Sequence, residues 1–161
     1  MAKPTPLQLA QWNELVDDYH GESDRGAAIL AGSFVEHALG QFLRSKARDP
    51  KVADELFGPM GPLSSFSQRI AVAYAFSFIP EDQYRDLELV RRIRNHFAHH
   101  PLGATFESPE VAQLTSKLST VEHCPESQYP DGLVRWRSTY LLGCGMLVAY
   151  CLHKLDPALG T

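Results

Sequence analysis

Ala27, Leu30, Ala31, Phe34, Ala38, Phe42 and Leu43 recur at intervals of three and four within the unbroken stretch 22–47. That spacing stacks them on one side of an α-helix and cannot be read as the alternation of a half-buried strand. A helix with an apolar side this long must be covered by other helices. Gly32, Ser33 and Gly40 would let a neighbouring helix approach closely. Ser23 or Asp24 is placed to cap its start.

The rest of the chain obeys the same period. Thr5 as a cap and Pro6 at the first helical position open a segment over 5–19, with Leu7, Trp12, Leu15 and Val16 on its apolar side. Asp49-Pro50 ends the long helix, and a short one, 51–57, follows. The Gly-Pro-Met-Gly-Pro run at 58–62 is a loop. Ser64 or Ser65 caps a third long segment running to Phe78, with Ile70, Ala73, Tyr74 and Phe78 facing inward. Pro80, Glu81 and Asp82 suit a fourth helix start, and Pro101 should stop that helix near His99 or His100. A short helix is expected within 108–120, an irregular loop over 123–132, and a largely buried final helix over 133–155. No convincing strand, repeat or linker is present. The expected architecture is all-α: one domain spanning 1–161, a bundle of about four long helices with short decorating helices.

Composition removes several classes. The 161 residues are 44% hydrophobic with a net charge of −4, so a packed core is expected and a whole-surface basic footprint for duplex DNA is absent. The longest apolar run, 140–152, is too short to span a bilayer, and the N-terminal residues lack a signal-peptide core. A cytoplasmic protein with no membrane contact is expected. Cys124, Cys144 and Cys151 are odd in number and lack a CxxC pair, which favours small buried side chains over a disulfide framework or a zinc site. No cofactor or metal is expected.

The stretch Arg-Arg-Ile-Arg-Asn-His-Phe-Ala-His-His, 91–100, is the candidate functional segment. On a helical wheel Leu87, Leu89, Val90, Ile93 and Phe97 form the buried arc, while Glu88, Arg91, Arg92, Asn95 and His99 lie opposite. Arg94 sits at the edge of the apolar arc, where it can lean across to a carboxylate such as Glu36. Four readings follow. The first is a polar face braced internally. The second is a metal pair, His96 and His100 at i, i+4, which lacks the HExxH glutamate. The third is duplex DNA reading. Residues 64–78 and 81–100 have the outline of a helix-turn-helix, but Glu81, Asp82 and Asp86 occupy the end that would meet phosphates. The fourth is RNA cleavage, with His99 as acid or base and Arg94 and Asn95 on the phosphate.

Three ordered blocks add a resemblance: Ser-Asp-Arg-Gly at 23–26, the Gly-Pro-x-Gly-x-Leu-x-Ser-Phe-Ser-x-Arg-Ile type of block ending at Ile70, and Ile-Arg-Asn-x-Phe-Ala-His at 93–99. Together, over about 23–100, they resemble the mannitol operon repressor family. Arg94, Asn95 and His99 are also similar to the Arg-polar-x-His motif of the HEPN superfamily (higher eukaryotes and prokaryotes nucleotide-binding). The first resemblance implies a regulatory protein acting through protein or nucleic-acid contacts. The second implies a helical homodimer and, in many members, metal-independent endoribonuclease activity. Under these expectations Arg94, Asn95 and His99 are the candidate catalytic set. Arg69, Arg91, Arg92 and His96 are candidate binding residues, and RNA or a regulatory protein is the candidate partner.

Overall fold

The computed structural model describes residues 21–126 and 135–155, so the helix expected over 5–19 and most of the loop over 123–132 lie outside the described residues. Among the described residues six α-helices and one 3-10 turn form the bundle: α1 Asp24–Ser45, α2 Pro50–Leu56, α3 Phe66–Ala75, α4 Glu81–His99, α5 Pro109–Thr115, the turn Ser119–His123, and α6 Arg135–Leu155. Helix α1 is central, packed along α6 and also against α4 and α3. None of the described helices is long and apolar enough to cross a membrane.

Ser23, not Asp24, caps α1: its hydroxyl accepts the Gly26 N–H at 3.1 Å. Asp24 and Arg25 are instead freed for long-range ties. The Asp24 carboxylate receives Arg137 of α6 at 2.8 Å and the Phe106 N–H at 3.0 Å. Arg25 Nε donates to the Phe97 carbonyl at 3.2 Å, one of the acceptors that the end of α4 would otherwise leave open. The Ser-Asp-Arg-Gly opening thus pins three later segments to the start of α1.

Helix α3 starts at the capping box of Ser65 and Gln68 and stops at Ala75, short of the expected Phe78. Ser77 takes φ 58°, and the N–H groups of Phe78 and Ile79 turn back to the Ala73 carbonyl. Tyr74, within α3, lies outside the core: it is 41% exposed and stacks on Tyr84 of α4 with ring centroids 4.3 Å apart. Leu30 also faces outward. Helix α4 matches its expected bounds, and its buried side is Leu87, Leu89, Val90, Ile93 and Phe97, as the wheel requires.

Helix α6 is less enclosed than expected, since Leu142 and Met146 are exposed. Its inner side, Tyr140, Cys144, Leu147, Val148 and Cys151, closes the core with Phe42, Phe97 and Phe106. Burying each such large apolar side chain contributes about 1.5–3 kcal/mol before chain entropy is opposed. Tyr140 stays satisfied by donating its hydroxyl to the Ala28 carbonyl at 2.9 Å. All three cysteines are free and buried. Burial pushes the Cys151 thiol up to about 12 and the Cys144 thiol higher still, so both behave as apolar side chains.

Candidate functional site

Gly32, Glu36 and Gly40 lie four residues apart along one line of α1. The line works as a slot for two arginines. A Cβ on Gly32 would lie 2.8 Å from both Cβ and Cγ of Arg94, and one on Gly40 would lie 3.1 Å from Arg69 Nη1. Gly32 therefore admits the Arg94 stem of α4, and Gly40 the Arg69 guanidinium of α3, and neither admits a helix backbone. Glu36, between them, receives both guanidinium groups. Arg94 Nη2 donates to Glu36 Oε2 at 2.7 Å, and Arg69 Nη1 stands 3.8 Å from Oε1.

Arg69 has further ties. It donates to the carbonyls of Leu63 at 2.9 Å, Glu36 at 3.3 Å and Ser64 at 3.4 Å, which fastens the Gly-Pro loop to α1. Arg69 and Arg44 both lie over the Phe57 ring. Burial lowers the Arg69 pKa, Glu36 opposes that, and Arg44 adds to it. Arginine begins so high that the group stays charged. The geometry therefore makes Arg69 a brace of the loop.

Arg94 Nη1 also donates to Asn95 Oδ1 at 3.2 Å, so Arg94 and Asn95 come together around Glu36. His99 does not join them. It is exposed at the end of α4, and its side chain makes no hydrogen bond or ion pair among the described residues. His96 is turned inward, with Nδ1 3.4 Å from the Glu110 carboxylate, and its ring stacks on His100 at 4.2 Å. His100 Nδ1 faces the His96 carbonyl at 2.9 Å. Stacked rings with these contacts are not a chelating pair, and no cluster of metal-binding type occurs among the described residues. Arg91 grips Glu88 through two hydrogen bonds, of 3.2 and 2.8 Å, while Arg92 is exposed and has no side-chain partner among the described residues.

The structure turns Asp86 inward from the exposed helix start that the sequence suggests, and adds two residues that the sequence reading passed over. Asp86 is buried and accepts the backbone N–H of Ser119 at 3.1 Å as well as its hydroxyl. Arg85 and Lys117 are exposed and line one groove with Arg92. Arg85 stands seven residues before Arg92, a spacing that marks one side of a helix. Lys117 carried no such signal, because tertiary packing brings it there.

No curated protein matches the chain. The solved structures include a fold likeness: a chain in the X-ray structure of the MtlR–HPr complex from Escherichia coli superposes with a TM-score of 0.72. It shares 20% identity, and the match covers 88% of this chain and 98% of that one. A family model described as Mannitol repressor matches residues 37–133. That span starts inside α1, leaves the Ser23–Gly26 opening outside, and continues past His100 through α5 and the 3-10 turn. It includes Arg69, Arg94 and the Arg85–Arg92–Lys117 groove. This chain belongs to the mannitol repressor family.

Proposed function

We propose that this protein regulates a mannitol operon by docking a protein partner, and that its partner is an HPr protein. Two comparisons support the reading: membership of the mannitol repressor family, and the likeness to a chain solved in complex with HPr. The observation that carries it within the chain is the engagement of Arg94. A nuclease of the kind considered above needs that guanidinium for phosphate, and here Glu36 and Asn95 occupy it. The first turn of α4 is acidic, with Glu81 and Asp82, which suits a regulator that does not read duplex DNA with this helix. On this reading Arg94, Asn95 and Arg69 brace the bundle, and the exposed α4 residues serve contact.

The test is a calorimetric titration of the purified chain with HPr from the same organism. Saturable binding is expected, and absence of a complex overturns the reading. A second reading, metal-independent RNA cleavage, keeps one observation in its favour, the exposed His99, whose side chain has no partner among the described residues. Incubation of wild type and His99→Ala with labelled RNA in EDTA separates the two. Intact RNA with both is the expected result. Cleavage by wild type alone, with 2′,3′-cyclic phosphate ends, would replace the docking regulator with an enzyme.

A further inference from the structure

Arg85 and Arg92 project from one side of α4, about 10 Å apart along the axis. Lys117 faces them from the segment after α5. All three are exposed, their side chains form no hydrogen bond or ion pair among the described residues, and they line an open groove of about 480 Å³. Two of the groove's carboxylates are already engaged: Asp86 by Ser119 and Glu88 by Arg91. Ser119 is neutral, so Asp86 keeps its charge; Asp82 and Asp86 stand against the three cations, and the groove retains one net positive charge. An aromatic wall continues from it, since Tyr84 lines the groove and stacks on the exposed Tyr74. Solvent-facing arginines beside a half-buried and an exposed tyrosine are the composition of binding hot spots.

We infer that this groove docks an acidic segment of a protein partner. Its carboxylates meet Arg85, Arg92 and Lys117, and an apolar side chain packs on the Tyr84–Tyr74 stack. The inference rests on the reading of the chain as a partner-docking regulator. A protein segment fits better than a nucleic acid because Asp82, Asp86 and Glu88 also line the groove. A continuous phosphate chain would run against them. Discrete carboxylates about 10 Å apart, roughly three residues of extended chain, pass between them.

The test is fluorescence anisotropy with three labelled probes: an extended peptide with Glu at every third position and Leu between, the same peptide with Gln for Glu, and an oligouridine. The Glu peptide is expected to bind, the Gln peptide at least about tenfold more weakly, and Arg85→Glu/Arg92→Glu to lose a similar factor. Lys117→Glu, on a different element, gives the same readout should the double variant fold poorly. The inference is overturned if the Glu peptide does not bind wild type, if the variants bind it unchanged, or if oligouridine binds more tightly. HPr titrated in parallel keeps the two readings apart. HPr binding without peptide binding removes the groove and leaves the regulator. Peptide binding without HPr binding keeps the groove and removes HPr.

Discussion

Helix α4 carries four arginines in two conditions. Arg94 and Arg91 are fastened, one to Glu36 across the bundle and one to Glu88 a turn away. Arg85 and Arg92 are open to solvent and hold no side-chain partner among the described residues. All four have the same chemistry, so the difference lies in the surroundings. Arg94 is fastened because α1 offers a carboxylate flanked by two glycines, which lets the stem lie flat and the guanidinium stay partly screened from water. A cation with a shaped slot and a carboxylate at its end is part of the fold. A cation with neither is available to a partner.

Glu36→Ala should give the largest break in this contrast. It leaves Arg94 and Arg69 partly buried without their shared carboxylate, the situation in which a lost partner is most costly. A loss of about 3 kcal/mol in urea unfolding is expected. A loss within about 0.5 kcal/mol would return Arg94 to the class of surface arginines.

Gly32→Val probes the slot from the other side. The new Cβ would fall 2.8 Å from the Arg94 stem and 3.0 Å from the Tyr140 hydroxyl, and neither is a free chain end. Overpacking of this kind costs about 1–3 kcal/mol. The double variant Gly32→Val/Arg94→Ala should recover part of that loss, because removing the stem opens the space. Strict additivity of the two single losses would show that the slot does not house Arg94.

The seam between α1 and α6 supplies a pH-dependent contrast to these permanent charges. Folding raises the Cys151 thiol to about 12 and also raises that of Cys144. A thiol raised in the folded state contributes fully below the unfolded-state pKa of about 8.5. That contribution is lost as pH rises from there through the folded value, because only the unfolded chain releases the proton. Each thiol should cost on the order of 1 kcal/mol of stability per pH unit over that window, on the linkage slope of about 1.4. Comparing urea midpoints near pH 8 and pH 10 for wild type and Cys151→Ala reads the difference. Equal alkaline losses in both would remove Cys151 as a source.

How far these two conditions were legible depends on the range of the interaction. The bounds of α4, its buried arc and the all-helical class followed from local period and from Pro80 and Pro101. The Glu36–Arg94 pair was visible because each residue sits at the edge of its own apolar face. The end of α3 was not, since it turns on Ser77 at φ 58°, where a serine gives no glycine-like signal. Tyr74 was placed inside as well, although it lies outside on Tyr84, a contact between helices that the period of α3 alone does not show. Gly32 and Gly40 suggested the close approach of a neighbouring helix, but what approaches is an arginine side chain, and a one-dimensional pattern does not distinguish that from a backbone. The groove was the least legible feature. Lys117 reaches Arg85 and Arg92 only through the packing of α5 on α4, and Asp86 is drawn inward by Ser119 from a position that reads as an exposed helix start.

Arg92→Ala should have the smallest effect on stability and is the sharpest check on the contrast. The side chain is exposed and has no partner to strand among the described residues, so the change should stay within about 0.5 kcal/mol, and alanine's helix propensity slightly favours it. Arg94→Ala, two positions away on the same helix, should lose about 1.5–3 kcal/mol, the value of hydrogen bonds to a charged group. Measured side by side in the same denaturant, the two variants remove the same side chain from the same helix. Equal losses would mean that Glu36 and its glycines do no more for Arg94 than water does for Arg92. A gap of about 1 kcal/mol or more locates the difference in the α1 slot, because nothing else in the comparison changes.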